Sequence, residues 1–230
     1  MPITFDAASS LAVSSAVSTA SWNHTVASSV NSILIVSAGF RTTASSIVNT
    51  TAVTYGGVAL TKAVSIANQD TARIQVQEDL WYLLNPTAGL SSIHVTWSNS
   101  SISFAHGAFG VSYTGTLGVG STAASTGASS APSVAVTLTS ANSWGVGALR
   151  KGNAFLATTV SGETLRAGST AGGWVGQRLD VSPGTSGSNT LNLTGGTAVL
   201  NAFVALELLS TSVPAPSALP PQLAIVGVGL

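Results

Sequence analysis

The chain reads as an all-β protein: an antiparallel, jelly-roll-like β-sandwich followed by an extended Pro-rich C-terminal arm. Three observations predict this. Short runs of β-branched and apolar residues, punctuated by Gly, Asn, Ser and Pro, recur along nearly the whole length. Within several runs apolar and polar residues alternate with the two-residue period of a strand. No window carries a helical apolar stripe backed by charged residues.

The predicted strands, in order, are residues 11 to 17, 20 to 26, 32 to 40, 51 to 55, 58 to 66, 72 to 84, 91 to 98, 103 to 114, 133 to 139, 143 to 150, 155 to 160, 174 to 181, 188 to 194 and 198 to 209. Between the fourth and fifth, Gly56-Gly57 supplies the positive φ values of a tight hairpin. Arg73-Ile74-Gln75-Val76-Gln77 and Ser92-Ile93-His94-Val95-Thr96-Trp97 alternate as half-buried antiparallel strands do, one face on a core and the other on water or a neighbour. Asn85-Pro86-Thr87-Ala88-Gly89 ends a strand at Leu84, because proline cannot extend a hydrogen-bonded ladder. Residues 115 to 132, nearly all Gly, Ser, Thr and Ala, read as a loop or sheet-crossing connection between two halves of six to eight strands each. Two packed antiparallel sheets accommodate that count, and no long internal repeat is evident. Trp22, Trp81, Trp97, Trp144 and Trp174 lie on or beside these strands and are expected to pack in the core or at its rim.

The runs Val53-Thr54-Tyr55-Gly56-Gly57-Val58-Ala59-Leu60-Thr61, Leu80-Trp81-Tyr82-Leu83-Leu84-Asn85-Pro86 and Gly107-Ala108-Phe109-Gly110-Val111-Ser112-Tyr113-Thr114-Gly115 together resemble a widespread, largely uncharacterised group of bacterial and phage β-sandwich domains. Ile3-Thr4-Phe5-Asp6 and Ala202-Phe203-Val204-Ala205-Leu206-Glu207-Leu208 resemble that group's first and last strands, so the likeness spans about residues 3 to 209. It implies a sandwich domain over residues 1 to 209 and a structural or adhesive role. It brings no catalytic residues.

Composition narrows the role further. Seven basic and seven acidic residues make the chain 6% charged with net charge zero, against about 25% in ordinary globular proteins. Such a surface has little repulsion to hold copies apart. Two lysines, Lys62 and Lys151, leave no basic footprint for nucleic acid. Without cysteine there is no disulfide framework or thiolate metal site. The start, Met-Pro-Ile-Thr-Phe-Asp, has neither the basic nor the apolar region of a secretory signal.

Reaction chemistry has few candidates. His24, His94 and His106 are the natural bases near neutral pH, and none shows metal-ligand spacing. His94 and His106 could meet across adjacent strands with Glu78 or Asp79 nearby. No Gly-x-Ser-x-Gly elbow occurs. Glu78 and Asp79, as strand neighbours, point to opposite faces and cannot act on one bond. Arg150-Lys151, the one basic doublet, reads as a solvated turn at a strand end. No enzyme activity, cofactor or metal is expected.

After Leu209 the composition changes to a Pro-rich linker, and residues 210 to 230 form an arm. Gln222-Leu223-Ala224-Ile225-Val226-Gly227-Val228-Gly229-Leu230 is uncharged and aliphatic. Burying four large aliphatic side chains is worth roughly 6 kcal/mol before ordering costs. Leu219, Leu223, Ile225, Val226, Val228 and Leu230 are therefore the expected interaction residues, docking on a neighbouring subunit or adding a strand to its sheet edge. Val213-Pro214-Ala215-Pro216 also resembles a Pro-Glu-Pro sorting signal of envelope bacteria. Ala215 replaces the Glu, no basic cluster follows, and the apolar stretch is too short to span a bilayer.

The resulting expectation is a non-enzymatic assembly protein, a decoration, cement or fibre subunit of a phage virion. It would form a homo-oligomer, a trimer by common precedent, on a capsid or filament lattice, with no nucleic-acid partner and no membrane span. The alternative is a secreted or cell-surface carbohydrate-binding or adhesive module, which requires an exposed aromatic cluster.

Overall fold

The computed structural model describes residues 2–13, 17–42, 48–71, 74–98, 106–152, 158–159, 162–168, 176–181, 186–194 and 197–210. Trp174 and all six arm residues named above lie outside the described residues. The described chain is built of strands, with every pairing antiparallel, as the sequence predicts.

In chain order the strands are β1 (Thr4–Val13), β2 (Thr19–Val26), β3 (Ile33–Thr42), β4 (Thr50–Tyr55), β5 (Val58–Ala59), β6 (Thr61–Gln69), β7 (Gln75–Leu84), β8 (Gly89–Trp97) and β9 (His106–Thr114). There follow β10 (Thr116–Ser129), β11 (Ser133–Leu138), β12 (Trp144–Lys151), β13 (Thr158–Thr159), β14 (Glu163–Gly168), β15 (Gly176–Val181), β16 (Gly187–Thr194) and β17 (Val199–Ser210).

They form four sheets rather than two. Sheet β2-β8-β4-β5 packs on sheet β1-β9-β3-β7-β6, and sheet β10-β17-β12-β15-β14 packs on sheet β11-β16-β13. The two five-stranded sheets then pack on each other through Ile33, Ile35, Leu80, Val111 and Tyr113 on one side and Trp144, Val146, Val204, Leu206 and Leu208 on the other. The order of layers is therefore outer, inner, inner, outer. Both faces of an inner sheet meet protein, which explains why β3 and β12 are buried at nearly every position. It also corrects the reading of the strand around Gln77 as half-buried: Gln75 and Gln77 are 2% and 1% exposed. In the outer strand β8 the expected alternation holds, with Ile93, Val95 and Trp97 buried.

The second sandwich repeats the first. Reading each inner sheet from its first strand, β1-β9-β3-β7-β6 and β10-β17-β12-β15-β14 have the same connectivity, and β2-β8-β4 corresponds to β11-β16-β13. Local detail follows suit. Asn31-Ser32 and Asn142-Ser143 enter the equivalent strands β3 and β12, with both asparagines left-handed at φ 56° and 69°. Gly89 and Gly187 open β8 and β16 at φ 102° and 107°. Bulges fall at matching places, between Lys62 and Val64 on β6 and between Leu165 and Ala167 on β14. Contacts between the sandwiches also exchange in pairs: β1 meets β14 as β10 meets β6, and β9 meets β15 as β17 meets β7. Strand β3 meets β12. An approximate two-fold axis thus passes between β3 and β12.

Residues 115 to 132 are accordingly not a loop. The link between sandwiches is Gly115 alone, left-handed at φ 74°, where a Cβ would strike the Pro2 carbonyl. Strand β10 follows at once and pairs along its length with β17. Pairing with Leu206, Val204 and Phe203 overrides the weak strand preference of its Gly, Ser and Ala residues. The run 58 to 66 divides at Leu60, because Val58–Ala59 pairs with β4 in the outer sheet while Thr61 onward pairs with β7 in the inner one. Strand β14 was not predicted. Its sequence, Glu-Thr-Leu-Arg-Ala-Gly, has no simple alternation, and it is held at the sheet edge by β15.

On the pseudo-axis sits a buried ion pair. Arg150 from β12 places Nε 3.4 Å from Glu78 Oε2 on β7, and both side chains are fully buried. Ser37 Oγ donates to the other carboxylate oxygen at 2.7 Å. The pair lies over Gly39, where a Cβ would come within 2.7 Å of Arg150 Nε and collide with the carboxylate. Arg150-Lys151 is therefore no solvated turn. Both side chains are 0% exposed, since the strand that carries them is the centre of an inner sheet. Arg150→Met alone leaves the Glu78 carboxylate without its counter-charge and is expected to lower unfolding free energy by about 3 to 5 kcal/mol. Arg150→Met combined with Glu78→Leu should recover most of that loss in chemical denaturation, and equal losses for single and double variants would count against the pairing.

Candidate functional site

The one described chain of hydrogen-bonded groups that includes a histidine, serines and a carboxylate lies in the first sandwich, where edge strands β1 and β2 of its two sheets face each other. Period-2 alternation turns Trp22, His24 and Val26 of β2 inward. Trp22 Nε1 donates to Ser9 Oγ at 2.9 Å, and Ser9 Oγ lies 2.8 Å from His24 Nδ1. His24 Nε2 is 3.1 Å from Ser112 Oγ, which donates to Asp6 Oδ2 at 2.6 Å. The direction of this chain follows from its ends. Indole can only donate and an ionised carboxylate can only accept. The single Ser112 proton goes to Asp6, so Ser112 accepts from His24 Nε2–H, and a neutral His24 then accepts at Nδ1 from Ser9. Gly110 leaves the space: a Cβ there would lie 3.1 Å from Ser9 Oγ and 3.3 Å from His24 Nδ1.

A hydroxyl, an imidazole and an orienting acid are the parts of an activated nucleophile. Here the acid stands one hydroxyl removed and His24 is 2% exposed. The second sandwich shows what the same positions hold without this chemistry. Aligning Gly89 with Gly187 puts Trp22 on Val134 and His24 on Val136, and the shared register of β3 and β12 puts Ser9 on Ala123. Val134, Val136 and Ala123 pack in an apolar core. The fold is thus satisfied by Ala, Val and Val where the first sandwich places Ser, Trp and His.

Beneath this difference is a shared element. In the first sandwich Asp6, at the bulge of β1, accepts Ala27 N–H at 3.0 Å and the Ser112 hydroxyl. In the second, Glu207 of β17 accepts Thr139 N–H at 2.6 Å and Ser121 N–H, at the bulge of β10, at 3.2 Å. Ser112 and Glu207 are equivalent positions and Gly120 stands where Asp6 does, so the acid has moved to the paired strand while the carboxylate still holds the amide that ends the next strand. Burial is the largest influence on Glu207 and raises its proton affinity. The N–H groups of Thr139 and Ser121 and the hydroxyls of Thr139 and Ser143 together outweigh it and leave the carboxyl below its ordinary 4.5.

Several other ionisable side chains also serve the interior. Gln75, Gln77 and Asp79 line one face of β7, with Gln75 Nε2 donating to Gln77 Oε1 at 3.3 Å and Gln77 Nε2 to Asp79 Oδ2 at 3.0 Å. Glu78 points to the opposite face, as the sequence predicts for strand neighbours. Burial raises the Asp79 carboxyl above its ordinary range against hydrogen bonds from Ser65, Thr50 and Gln77 and the Lys62 charge. Arg166 of β14 pairs with Asp180 at 2.9 Å and lies 4.3 Å over the Phe5 ring of the first sandwich. Lys151 Nζ donates to Thr197 O at 3.2 Å, and Lys62 Nζ to Thr50 O at 3.0 Å while lying 4.7 Å over Trp81. Among the described charged side chains only Lys62 is classed as exposed.

His94 and His106 stand on strands of different sheets, not on adjacent strands. His94 is on β8 of the outer sheet, beside Ser21 Oγ at 2.6 Å, and His106 is on β9 of the inner sheet. Among the described residues no group of three or more His, Asp or Glu is placed to hold a metal ion. Trp22, Trp81, Trp97 and Trp144 are all buried, between 2% and 9% exposed. No helix is long and apolar enough to cross a membrane. Comparison with family models, curated proteins and solved structures finds no match.

Two measurements address these groups. The stabilisation from Glu207 is complete above pH 4.5, its ordinary value, and is lost as pH falls through its lower folded value. Glu207→Gln should be less stable than wild type at pH 7 and show a shallower loss between pH 5 and pH 3; parallel curves would refute the assignment. His24→Val alone, which leaves Ser9 and Ser112 without their partner, should cost about 1 to 3 kcal/mol. Adding Ser9→Ala, the second sandwich's residue, should recover part of it, whereas simple additivity in the double-mutant cycle would show that the chain is not coupled.

Proposed function

We propose that the protein is a non-enzymatic structural subunit that packs against copies of itself and a larger lattice, as a decoration, cement or fibre protein of a phage particle. The observation that supports this most strongly is where the charges are. A scarcely charged chain has buried half of its described charged side chains, Glu78, Asp79, Arg150, Lys151, Asp180 and Glu207, and Lys62 is the one described charge that stands exposed. From Leu80 to Leu149 no Asp, Glu, Lys or Arg occurs. The exterior is left with hydroxyls, small side chains and strand edges, which form contacts without desolvating ions. The uncharged C-terminal arm fits the same role as a strap between subunits.

The carbohydrate-binding alternative needs indole rings on an exposed face, and the four described tryptophans are core residues. The Ser9 to Asp6 chain is read as a stitch between edge strands rather than a reaction centre, given the burial of its histidine.

Deletion of residues 211 to 230 tests this reading. Size-exclusion chromatography with light scattering over a concentration series, followed by electron microscopy, should show oligomers or ordered particles for the full chain. The shortened chain should associate at least tenfold more weakly. A full chain that stays monomeric at millimolar concentration would end the proposal.

A further inference from the structure

Most apolar side chains in this protein are covered, so the few large ones left in water are informative. Val30, Leu84 and Leu117 are 66%, 43% and 60% exposed. They come from three separate elements that meet at one end of the stack. Asn31, next to Val30, accepts the Thr116 N–H at 3.1 Å, and Asn85, next to Leu84, donates to Ser32 O at 2.8 Å. Leu117 lies between Thr116 and Gly118, and a Cβ on Gly118 would be 3.9 Å from both methyls of Leu84. Exposed leucines gathered at one end of a molecule mark an interaction surface rather than ordinary scatter.

The described chain leaves from this same place. Ser210, the last residue of β17, is the register partner of Thr116, one residue from Leu117. Beyond it stand twenty uncharged residues, the last nine of which are Gln222-Leu223-Ala224-Ile225-Val226-Gly227-Val228-Gly229-Leu230. Residues 211 to 221 include Pro214, Pro216, Pro220 and Pro221, a composition that favours extended backbone and spans roughly 34 Å at about 3.1 Å per residue. Such a spacer is poorly suited to returning its own apolar end to a patch at its root. It is well suited to delivering that end to the same patch on another molecule.

We propose that the surface formed by Val30, Leu84 and Leu117 receives residues 222 to 230 of a second copy of this chain. Every subunit then donates one segment and accepts one, and the exchange closes into a dimer or a ring. This deepens the reading of the protein as an assembly subunit and rests on it.

The absence of cysteine makes the test direct. Two full-length variants, Leu117→Cys and Ile225→Cys, are mixed, oxidised under mild conditions and separated by non-reducing electrophoresis. The disulfide-linked pair containing one of each should form at least fivefold more than a pair made with Thr126→Cys, at the far exposed end of β10. Linkage no greater than that control would overturn the docking site. So would ring closure within single chains of the Leu117→Cys/Ile225→Cys double variant at high dilution. Light scattering on the same samples separates the two levels of the account. Association without preferential linkage removes only this surface, and loss of association in unsubstituted protein removes the assembly reading itself. In parallel, Leu117→Asp should weaken self-association at least tenfold, while Thr126→Asp should leave it within threefold.

Discussion

The rest of the structure depends on one contact: the face-to-face packing of two inner sheets, each already covered on its other side. That contact makes the described residues of a cysteine-free chain into a single stack of four layers. Burial on both faces demands near-continuous apolar strands, and β3, β12 and β17 supply them. It also determines what a polar residue can do there. A carboxylate or guanidinium buried in an inner strand, as Glu78 and Arg150 are, has no route to water, so it must find its partner within the protein. Glu78 and Arg150 do so across the interface, and Ser37 donates to the other carboxylate oxygen.

The approximate two-fold axis adds a further constraint. In a true symmetric dimer, equivalent positions beside the axis carry the same residue. Gly39 and Arg150 are equivalent here, and they differ: one supplies the space that the other fills. Two identical halves would bring together either two arginines or two glycines, so this complementarity is open only to halves joined in one chain. The Asp6/Ser112 and Gly120/Glu207 pairs show a milder version of the same freedom. The acid has changed strands while the amide it holds has not. The Ser9, Trp22 and His24 group is then a departure from a common plan, since the second sandwich fills those positions with Ala123, Val134 and Val136 and keeps its fold.

Much of this was legible in the sequence and some was not, for identifiable reasons. Alternation in Ile93, Val95 and Trp97 reported an outer strand correctly because one face of that strand meets water. The same pattern at Gln75 and Gln77 misled, because buried glutamines that bond to one another mimic a solvated face. The Gly, Ser and Ala content of the stretch after Gly115 predicts a loop or sheet-crossing connection, whereas its conformation is set by β17. The duplication left almost no trace in residue identity. It survives in backbone features that a single sequence does not display: left-handed asparagines, paired bulges and opening glycines. Arg150-Lys151 looked like a surface doublet because basic residues seldom lie in a sheet interior, and the partner that permits it, Glu78, is distant in sequence. Ser9 and Asp6 carried no motif, since their relation to His24 and Ser112 exists only once four strands have paired.

The central claim is that the ionisable groups hold the interior together and leave a surface that associates without charge. Sedimentation velocity over a concentration series in 0.1 M and 1 M NaCl tests it most directly, because raising the salt shortens the screening length from about 10 Å to about 3 Å. The account predicts self-association that is unchanged or strengthened at the higher salt. Oligomers that dissociate as salt rises, or a monomer under both conditions, would contradict it.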